Sequence, residues 1–303
     1  MKKRNVAIFL HLYAQDLAEY YHDYLHPLKD LVDIHMTLPE DIDCRETEYI
    51  FNDLNTTFNY VNNVGADNLS FLKVLTKYGS DYKMFYKMHT KKSLLHRFCN
   101  WRELLVNELV GSIDIFKQNC LLLENGFVDS IGPQCLLMTS DRCHAHRIAY
   151  LMSELNIPFD NYSHFVGGSM FGGVSSKYLK YFNREVVNNL EQLMIDNSEI
   201  GLIKDEDNQG GCISTYHHAL ERIFGYLGNL YPITMSTITV EGINSPKQIV
   251  ITKNKEVYCH HDSEIFGNVV EEKLDKLFII WKHKRPRKIE EYIRTSENVI
   301  KKV

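Results

Sequence analysis

The fourth predicted strand of this chain ends in Tyr86-Lys87-Met88-His89-Thr90-Lys91-Lys92-Ser93. The stretch closes an alternation of strands and helices that begins at Val6. In an open α/β sheet, ligands bind in the crevice at the carboxyl ends of the strands. A strand end with a histidine, two lysines and two hydroxyl groups offers the donors and cations that bind a phosphate or diphosphate. In the alternative interpretation, Lys91 and Lys92 belong to a solvated loop.

Working outward from this stretch, apolar continuity predicts buried strands, and apolar residues at helical spacing predict the helices between them. The strands are predicted over 6–13, 32–37, 58–61 and 82–88, and the helices over 15–31, 45–54 and 67–78. Alternation of this kind predicts an α/β fold in which a mainly parallel sheet carries helices on both faces.

The pattern loosens after residue 93. Helices are predicted over 101–109, 113–123, 144–155 and 215–227, and a strand over 128–138 is interrupted at Gly132-Pro133. Residues 233–258 predict a β-hairpin or meander, and 274–300 a mixed basic tail. We therefore expect a main domain over 1–230, with the hairpin and a basic helical tail over 231–303 packed on it.

The composition is that of a soluble globular protein. Of 303 residues, 44% are hydrophobic and 24% are charged. The net charge of −5 does not indicate nucleic-acid binding. The seven cysteines are scattered without a CxxC pair, which suits reduced thiols. The sequence predicts neither a signal peptide nor a transmembrane segment, so we expect a cytoplasmic protein.

A basic cluster over 282–288 follows the apolar segment 277–281. Two interpretations stay open. Residues 277–288 can make a weak peripheral contact with an anionic membrane, which would also bring the protein to lipid-linked acceptors. Alternatively, the apolar half packs on the sheet and the basic half is solvated.

Two clusters near the first and third strands can carry chemistry. His11 and Tyr13 end the first strand, where they can stack on or hydrogen-bond a nucleotide base, or lie partly buried in the core. Gly65 permits a tight turn before the third helix. Asp67 can cap that helix, contact a ligand beside its N-terminus, or do both.

Two clusters lie later in the chain. The glycine-rich segment 167–173 lets the backbone approach a ligand closely, with a bulged hairpin as the alternative. His218 and Glu221 lie three residues apart on a predicted helix and share a face. Such a pair can supply a general base or be purely structural. As half of a metal site it lacks a matching partner pair.

These segments, in this order, resemble the rhamnan synthesis protein F family of polysaccharide-building glycosyltransferases. The similarity covers roughly residues 5–230 and is most specific in His89-Thr90-Lys91-Lys92-Ser93 and His218-Ala219-Leu220-Glu221-Arg222. It also includes Phe9-Leu10-His11-Leu12-Tyr13, the turn with Asn63, Gly65 and Asp67, Trp101-Arg102 with Leu104-Leu105, and Gly168-Ser169-Met170-Phe171. The resemblance implies the A-type glycosyltransferase fold, a Rossmann-like sheet that binds a nucleotide-sugar.

The resemblance also implies the activity. A sugar, such as rhamnose or another deoxyhexose, would move from a nucleotide diphosphate to a growing glycan, and a non-catalytic nucleotide- or glycan-binding module is the alternative. The implied donor-binding residues are His11, Tyr13, Asn63, Gly65, Asp67, His89, Thr90, Lys91, Lys92 and Ser93. The implied acceptor- or sugar-binding residues are Gly168, Ser169, Met170, Phe171 and Arg222. We expect an inverting displacement in which His218 or Glu221 is the base and Lys91, Lys92 and Ser93 stabilise the leaving nucleotide. A retaining reaction is the alternative.

The chain departs from many A-type enzymes at their divalent-metal motif. Those enzymes carry Asp-x-Asp after the fourth strand, where this chain has His89-Thr90-Lys91. A lysine can neutralise a departing diphosphate as a metal would, so we expect catalysis without a metal or other cofactor. Asp205-Glu206-Asp207 matches the motif formally, but it comes over a hundred residues later, and we interpret it as a solvated loop.

Overall fold

The computed structural model describes residues 4–92, 101–124, 126, 129–133, 137–139, 144–158, 164–200, 214–227, 234–236, 247–251 and 257–259. The strands are β1 (Val6–His11), β2 (Val32–Pro39), β3 (Thr56–Val61), β4 (Met84–His89), β5 (Ser130–Ile131), β6 (Leu137–Thr139), β7 (His164–Val166), β8 (Phe171–Val174), β9 (Thr234–Ser236), β10 (Lys247–Ile251) and β11 (Val257–Cys259). The helices are α1 (Ala18–Leu25), α2 (Arg45–Ile50), α3 (Ala66–Tyr78), α4 (Trp101–Val110), α5 (Ile113–Glu124), α6 (Ala145–Glu154), α7 (Ser175–Leu179), α8 (Arg184–Asp196) and α9 (Tyr216–Leu227).

The central sheet has six strands in the order β3-β2-β1-β4-β8-β5. The first four are parallel, whereas β8 runs antiparallel to β4 and β5 runs antiparallel to β8. The order β3-β2-β1-β4 is that of a doubly wound α/β sheet. The predicted α/β fold with a mainly parallel sheet is therefore confirmed.

Helices cover both faces of the sheet, because successive residues of a strand point to opposite sides. Phe85 packs on Phe71 of α3, with ring centroids 5.1 Å apart. Its neighbour Tyr86 packs on Phe116 of α5 at 5.1 Å. Lys87 returns to the side of Phe85 and is fully buried. A lysine on the α3 side of the central sheet requires a charged partner.

In the second half of the chain, one prediction was wrong and one alternative interpretation is excluded. The strand predicted over 128–138 is two strands in different sheets: β5 joins the central sheet and β6 pairs with β7. The proline of Gly132-Pro133 has no N–H for a ladder, which separates the two. The glycine-rich segment is not a hairpin either, because β7 and β8 on its two sides belong to different sheets.

The first predicted helix, over 15–31, is also divided. Only α1 is α-helical, and 3-10 turns flank it at Gln15–Leu17 and His26–Leu28. Pro27 lies in the second turn, where its missing N–H ends the α-helical pattern. By contrast, β9, β10 and β11 form an antiparallel sheet, which agrees with the predicted meander.

Several predictions fall outside the described residues. They concern Ser93, Asp205-Glu206-Asp207 and the basic tail with its membrane contact over 277–288. The division at residue 230 stays a prediction. No helix in the described ranges has both the length and the apolar composition needed to cross a bilayer.

Candidate functional site

A cleft of about 700 Å³ opens at the carboxyl edge of the sheet, over β1 and β4. His11 and His89, the last residues of these strands, are register partners. Ligand pockets have volumes of about 300–1,000 Å³, so the cleft can hold a substrate. It is lined by His11, Tyr13, Ala14, Gln15, Asp16, Ile42, Asn63, Ala66, Asp67, His89, Thr90, Lys91, Lys92, Glu199, His217 and His218.

Thr90 fastens the ends of β1 and β4 together. Its hydroxyl oxygen accepts the N–H groups of Tyr13 and Ala14 at 3.1 and 3.0 Å, and its own N–H donates to the carbonyl of His11 at 3.0 Å. The chain after β1 is therefore held against β4. This places the ring of Tyr13 on the cleft. The ring stacks with that of His11, and the two ring centroids are 6.3 Å apart.

The cations of the cleft lie at its rim. Lys91 is half-buried, and Lys92 is exposed and paired with Asp16 at 2.7 Å. Arg102 of α4 donates to the carbonyl of Lys91 at 3.2 Å and so helps to fix the backbone of the segment that carries the two lysines. An exposed ion pair contributes little to stability, so Lys92 can exchange Asp16 for a ligand anion.

The floor of the cleft includes the buried lining residues His11, His89 and Glu199, together with Asp67, whose side chain is 15% exposed. Below it, Lys87 pairs with Asp67 and donates to the carbonyl and hydroxyl oxygens of Ser169 at 2.8 and 2.6 Å. The Ser169 hydroxyl lies 2.7 Å from Asp67 Oδ2 and 3.0 Å from Asn68 Oδ1. Burial raises the pKa of the Asp67 carboxyl, but the Lys87 ammonium and the hydrogen bond from Ser169 hold it well below its usual range.

The turn before α3 has an unusual backbone. Gly65 has φ +62° and Ala66 has φ +51°, in the left-handed region that glycine adopts readily and alanine rarely. The predicted helix cap at Asp67 was wrong, because Gly65 is the N-cap residue and no side chain caps the helix. Asp67 lies one position inside α3, and its side chain instead turns toward Lys87 and the cleft.

The turn before β8 connects β4 to α9. Gly168 has φ +89°, and the N–H of Ser169 donates to the carbonyl of Val166 at 2.9 Å. The carbonyl of Gly168 accepts a hydrogen bond from Nε2–H of His89 at 2.7 Å. The backbone N–H of Gly168 donates to the Glu221 carboxylate at 2.7 Å. This turn thus ties the end of β4 to α9.

His218 and Glu221 of α9 have different environments. His218 lines the cleft, and its Nδ1 lies 2.7 Å from the hydroxyl of Thr215. Glu221 is not among the residues that line the cleft, and Arg222 donates to its second oxygen at 2.6 Å. The Arg222 guanidinium in turn lies 4.4 Å from the ring centroid of Phe165.

The first turn of α9 is held by a carboxylate from the segment after α8. Glu199 accepts the N–H groups of Tyr216 and His217, the latter at 2.9 Å. Its carbonyl accepts the N–H of Gly65 at 3.1 Å. Glu199 therefore joins the turn before α3 to α9, which positions the histidines of α9 on the cleft.

Three histidines of the cleft, His11, His89 and His218, are neutral at physiological pH. Burial lowers the pKa of His11 and of His89 to about 4. Burial, helped by the neighbouring positive charges of Arg222 and Lys91, lowers the pKa of His218 to about 3. These rings therefore offer a neutral donor or acceptor nitrogen and no charge.

The structure places most of the predicted donor-binding residues together. His11, Tyr13, Asn63, Asp67, His89, Thr90, Lys91 and Lys92 all line the cleft, and Gly65 donates to the carbonyl of the lining residue Glu199. His218, predicted as a possible base, lines the cleft too. The predicted acceptor-binding residues Gly168, Ser169, Met170, Phe171 and Arg222 are buried and do not line it. Their ligand contacts stay predictions, and their observed contacts are with the protein interior.

Sequence reasoning missed Lys87, Asn68, Glu199 and His217 as parts of the site. Lys87 carries a readable signal, since a charged residue on the same side of a buried strand as Phe85 requires a partner. Asn68, which donates to the carbonyl of His217 at 2.9 Å, gives no such signal. Nor does Glu199, whose partners are backbone groups 17 and 18 residues away in the sequence.

The described residues do not fit the divalent ion that many A-type enzymes hold. Among them, no group of three or more His, Cys, Asp or Glu side chains could bind a metal. Asp67, the carboxylate nearest the end of β4, already has one oxygen occupied by Lys87 and Ser169.

Comparison with known proteins agrees with the resemblance seen in the sequence. No curated protein matches the chain. The family model described as rhamnan synthesis protein F matches residues 1–230 of the 303-residue chain. That match includes β1 to β8, α1 to α9 and every residue of the cleft. The chain belongs to the rhamnan synthesis protein F family.

Proposed function

We propose that this protein is a glycosyltransferase that moves a sugar from a nucleotide diphosphate to a growing or lipid-linked glycan. Family membership indicates a role in rhamnan polysaccharide synthesis. The observation that supports transfer is the distribution of charge in the cleft, with lysines at the rim and a fixed carboxylate and neutral histidines on the floor. A nucleotide-sugar has matching parts: an anionic diphosphate and a neutral ring with hydroxyl groups.

The donor's diphosphate binds Lys91 and Lys92 in this proposal. Both cations follow β4 at the carboxyl edge, and both line the cleft. The half-buried ring of Tyr13 presents an aromatic face on which the nucleotide base stacks. When the bond between the sugar and the diphosphate breaks, the lysines stabilise the negative charge on the leaving nucleotide.

His218 is the base in this proposal, because it lines the cleft and is unprotonated at neutral pH. It takes the proton of the acceptor hydroxyl while the acceptor oxygen bonds to the anomeric carbon. A pKa of about 3 is low for a base. Because neighbouring positive charge contributes to that value, binding of an anionic diphosphate beside Lys91 raises the pKa of His218 toward the working range.

A donor screen followed by an assay of product tests the function. Thermal shift identifies which nucleotide-sugars the protein binds, and the donors that bind are then incubated with glycan or lipid-linked acceptors. We expect acceptor-dependent release of the nucleoside diphosphate and a product heavier by one sugar. We expect both to survive excess EDTA. Binding without release would make the protein a non-catalytic module, and loss of activity in EDTA restored by Mn²⁺ or Mg²⁺ would overturn charge neutralisation by lysines.

A further inference from the structure

We propose that Asp67 accepts a hydrogen bond from a hydroxyl group of the bound sugar nucleotide, and that Lys87 is the positioning residue that fixes its carboxylate. The inference rests on the proposed function and assigns a substrate contact within the same cleft. The hydroxyl group belongs either to the ribose of the nucleotide or to the sugar that is transferred. The recognition chemistry is the same in both cases, an ionised carboxylate oxygen that accepts from a sugar hydroxyl.

Lys87 cannot contact the substrate itself. Its side chain is 1% exposed. The ammonium group lies 5.8 and 6.0 Å from the ring centroids of Phe71 and Phe224. Its three N–H donors match three acceptors: Asp67 Oδ2 and the two oxygens of Ser169. A buried cation of this kind is costly unless it is paired, so its position below the cleft calls for a specific use.

Among the described residues that Lys87 contacts, Asp67 alone also lines the cleft. Two donors, the Lys87 ammonium and the Ser169 hydroxyl, hold the Oδ2 atom from inside. The Oδ1 atom lies 3.8 Å from Nδ1 of His89, beyond hydrogen-bond distance, and the side chain is 15% exposed. A carboxylate has about four acceptor sites, so Oδ1 keeps the capacity to accept from a ligand.

Charged and titratable groups surround Asp67 on three elements. Lys87 and His89 extend from β4, His11 from β1, and Ser169 from the turn before β8. The Lys87 ammonium and the Ser169 hydroxyl keep the pKa of Asp67 well below its usual range, so the carboxylate stays ionised. A fixed anion on the floor repels phosphate and favours a hydroxyl group, whereas Lys91 and Lys92 at the rim favour the diphosphate. The cleft thereby orients the donor.

Substitution of Asp67→Asn tests the contact, because asparagine keeps the shape and removes the charge. Calorimetry compares three ligands: the nucleotide-sugar that the wild type binds, the matching nucleoside diphosphate, and its 2′,3′-dideoxy form. We expect the variant to bind the nucleotide-sugar roughly tenfold or more weakly, as for loss of one hydrogen bond to a charged group.

The two sources of the hydroxyl group give different patterns. If it belongs to the transferred sugar, the variant binds both nucleoside diphosphates as the wild type does. If it belongs to the ribose, affinity for the nucleoside diphosphate also falls, and the variant no longer distinguishes it from the dideoxy form. If the variant binds all three ligands as the wild type does, the contact at Asp67 is rejected and the proposed function is unaffected. A wild-type protein that binds no sugar nucleotide overturns the proposed function instead.

A double-mutant cycle tests the role of Lys87. Lys87→Met should weaken binding of the nucleotide-sugar, and should make binding fall at a higher pH than in the wild type as the solution is acidified, because loss of the cation raises the pKa of Asp67. Lys87→Met combined with Asp67→Asn leaves no unpaired charge and should bind as Asp67→Asn alone does. A further loss in the double variant would overturn the positioning role.

The matched control lies on the same helix. Lys73→Met removes the ion pair between Lys73 of α3 and Glu191 of α8, which are 2.6 Å apart and away from the cleft. We expect its affinity for all three ligands to equal that of the wild type. Equal weakening in Lys73→Met and Lys87→Met would mean that loss of any ion pair on α3 disturbs the cleft, which would contradict the inference.

Discussion

At the scale of single residues, the most informative pair is His218 and Glu221. Both lie in the second half of the chain on one helix, and spacing alone leaves either as a base. The structure gives Glu221 two donors, the N–H of Gly168 and the guanidinium of Arg222, and places His218 on the cleft. Glu221 therefore acts in our proposal as a positioning residue for the turn before β8.

We expect His218→Asn to reduce mainly activity and Glu221→Gln to reduce mainly stability. His218→Asn should lower kcat about a hundredfold or more through loss of the base, with a small change in the free energy of unfolding. Glu221→Gln should keep measurable activity and lower that free energy by about 1.5–3 kcal/mol, because its hydrogen bond with Arg222 loses its charge.

Turnover assays and urea denaturation of the two purified variants measure these effects. A Glu221→Gln variant that is as stable as the wild type and inactive would reverse the assignment and make Glu221 the base.

The residues at strand ends were predictable from the sequence, and their partners were not. His11, His89 and Thr90 are polar groups that follow apolar runs, which is a local signal. Lys87 reaches Asp67 and Ser169, which are 20 and 82 residues away. The sequence alone does not specify such distant contacts.

At the scale of elements, α9 depends on a carboxylate that is not part of it. Glu199 accepts the first N–H groups of the helix, which have no partner within the helix. The negative charge also interacts favourably with the helix dipole at this end. His217 and His218 follow directly, so the position of the helix start sets the position of both rings on the cleft.

We expect Glu199→Ala to loosen the start of α9 and to reduce transfer. The free energy of unfolding should fall by about 1–2 kcal/mol, as for loss of a capping side chain. Hydrogen exchange at the Tyr216 and His217 amides should accelerate. The matched control is Asn183→Ala, which removes the cap of α8, where Asn183 accepts the N–H of Val186 at 2.9 Å.

That control should lose a similar amount of stability and keep its activity, because Asn183 does not line the cleft. If both variants lost activity equally, general destabilisation would explain the result and the link between α9 and the cleft would be rejected.

The strands before residue 90 followed their local pattern, and several later elements did not. The strands β1 to β4 alternate with helices along the chain, and each pairs with another of these four strands. By contrast, β5 and β6 lie close in sequence but pair with β8 and β7, respectively. Sheet membership there depends on partners 25 or more residues away, which periodicity does not report.

At the scale of the whole molecule, buried neutral histidines link stability to pH. The pKa values of His11, His35 and His89 are about 4, and that of His218 is about 3, in each case mainly because of burial. Unfolding exposes the rings and returns their pKa values to about 6.5. Between about pH 6.5 and 4, the unfolded chain therefore binds more protons than the folded chain.

We expect these histidines to leave the free energy of unfolding nearly unchanged above pH 6.5 and to lower it as the pH decreases toward 4. Each histidine should contribute a loss of about 1 kcal/mol by pH 5.5. The lowered carboxylate pKa values of Asp67 and Glu199 add losses only at more acidic pH, below their unfolded values. Urea denaturation at pH 7.5 and 5.5 measures the difference.

His35→Phe supplies the control, because His35 stacks on Tyr78 at 4.0 Å and does not line the cleft. The variant should lose about 1 kcal/mol less than the wild type over this pH interval. Equal stability of the wild type at both pH values would contradict the linkage.

The reversed direction of β8 has a consequence for engineering the protein. Because β8 is antiparallel to β4, Phe171 lies beside Lys87 near the cleft and Val174 beside Met84 at the far edge. The segment entering β8 therefore shapes the site. The segment leaving β8 lies on the opposite side, where the N–H of Ser175 donates to the carbonyl of Lys83 at 3.0 Å. Grafts from relatives that aim to change substrate preference should exchange residues 164–171, and fusion partners should be inserted at the far edge.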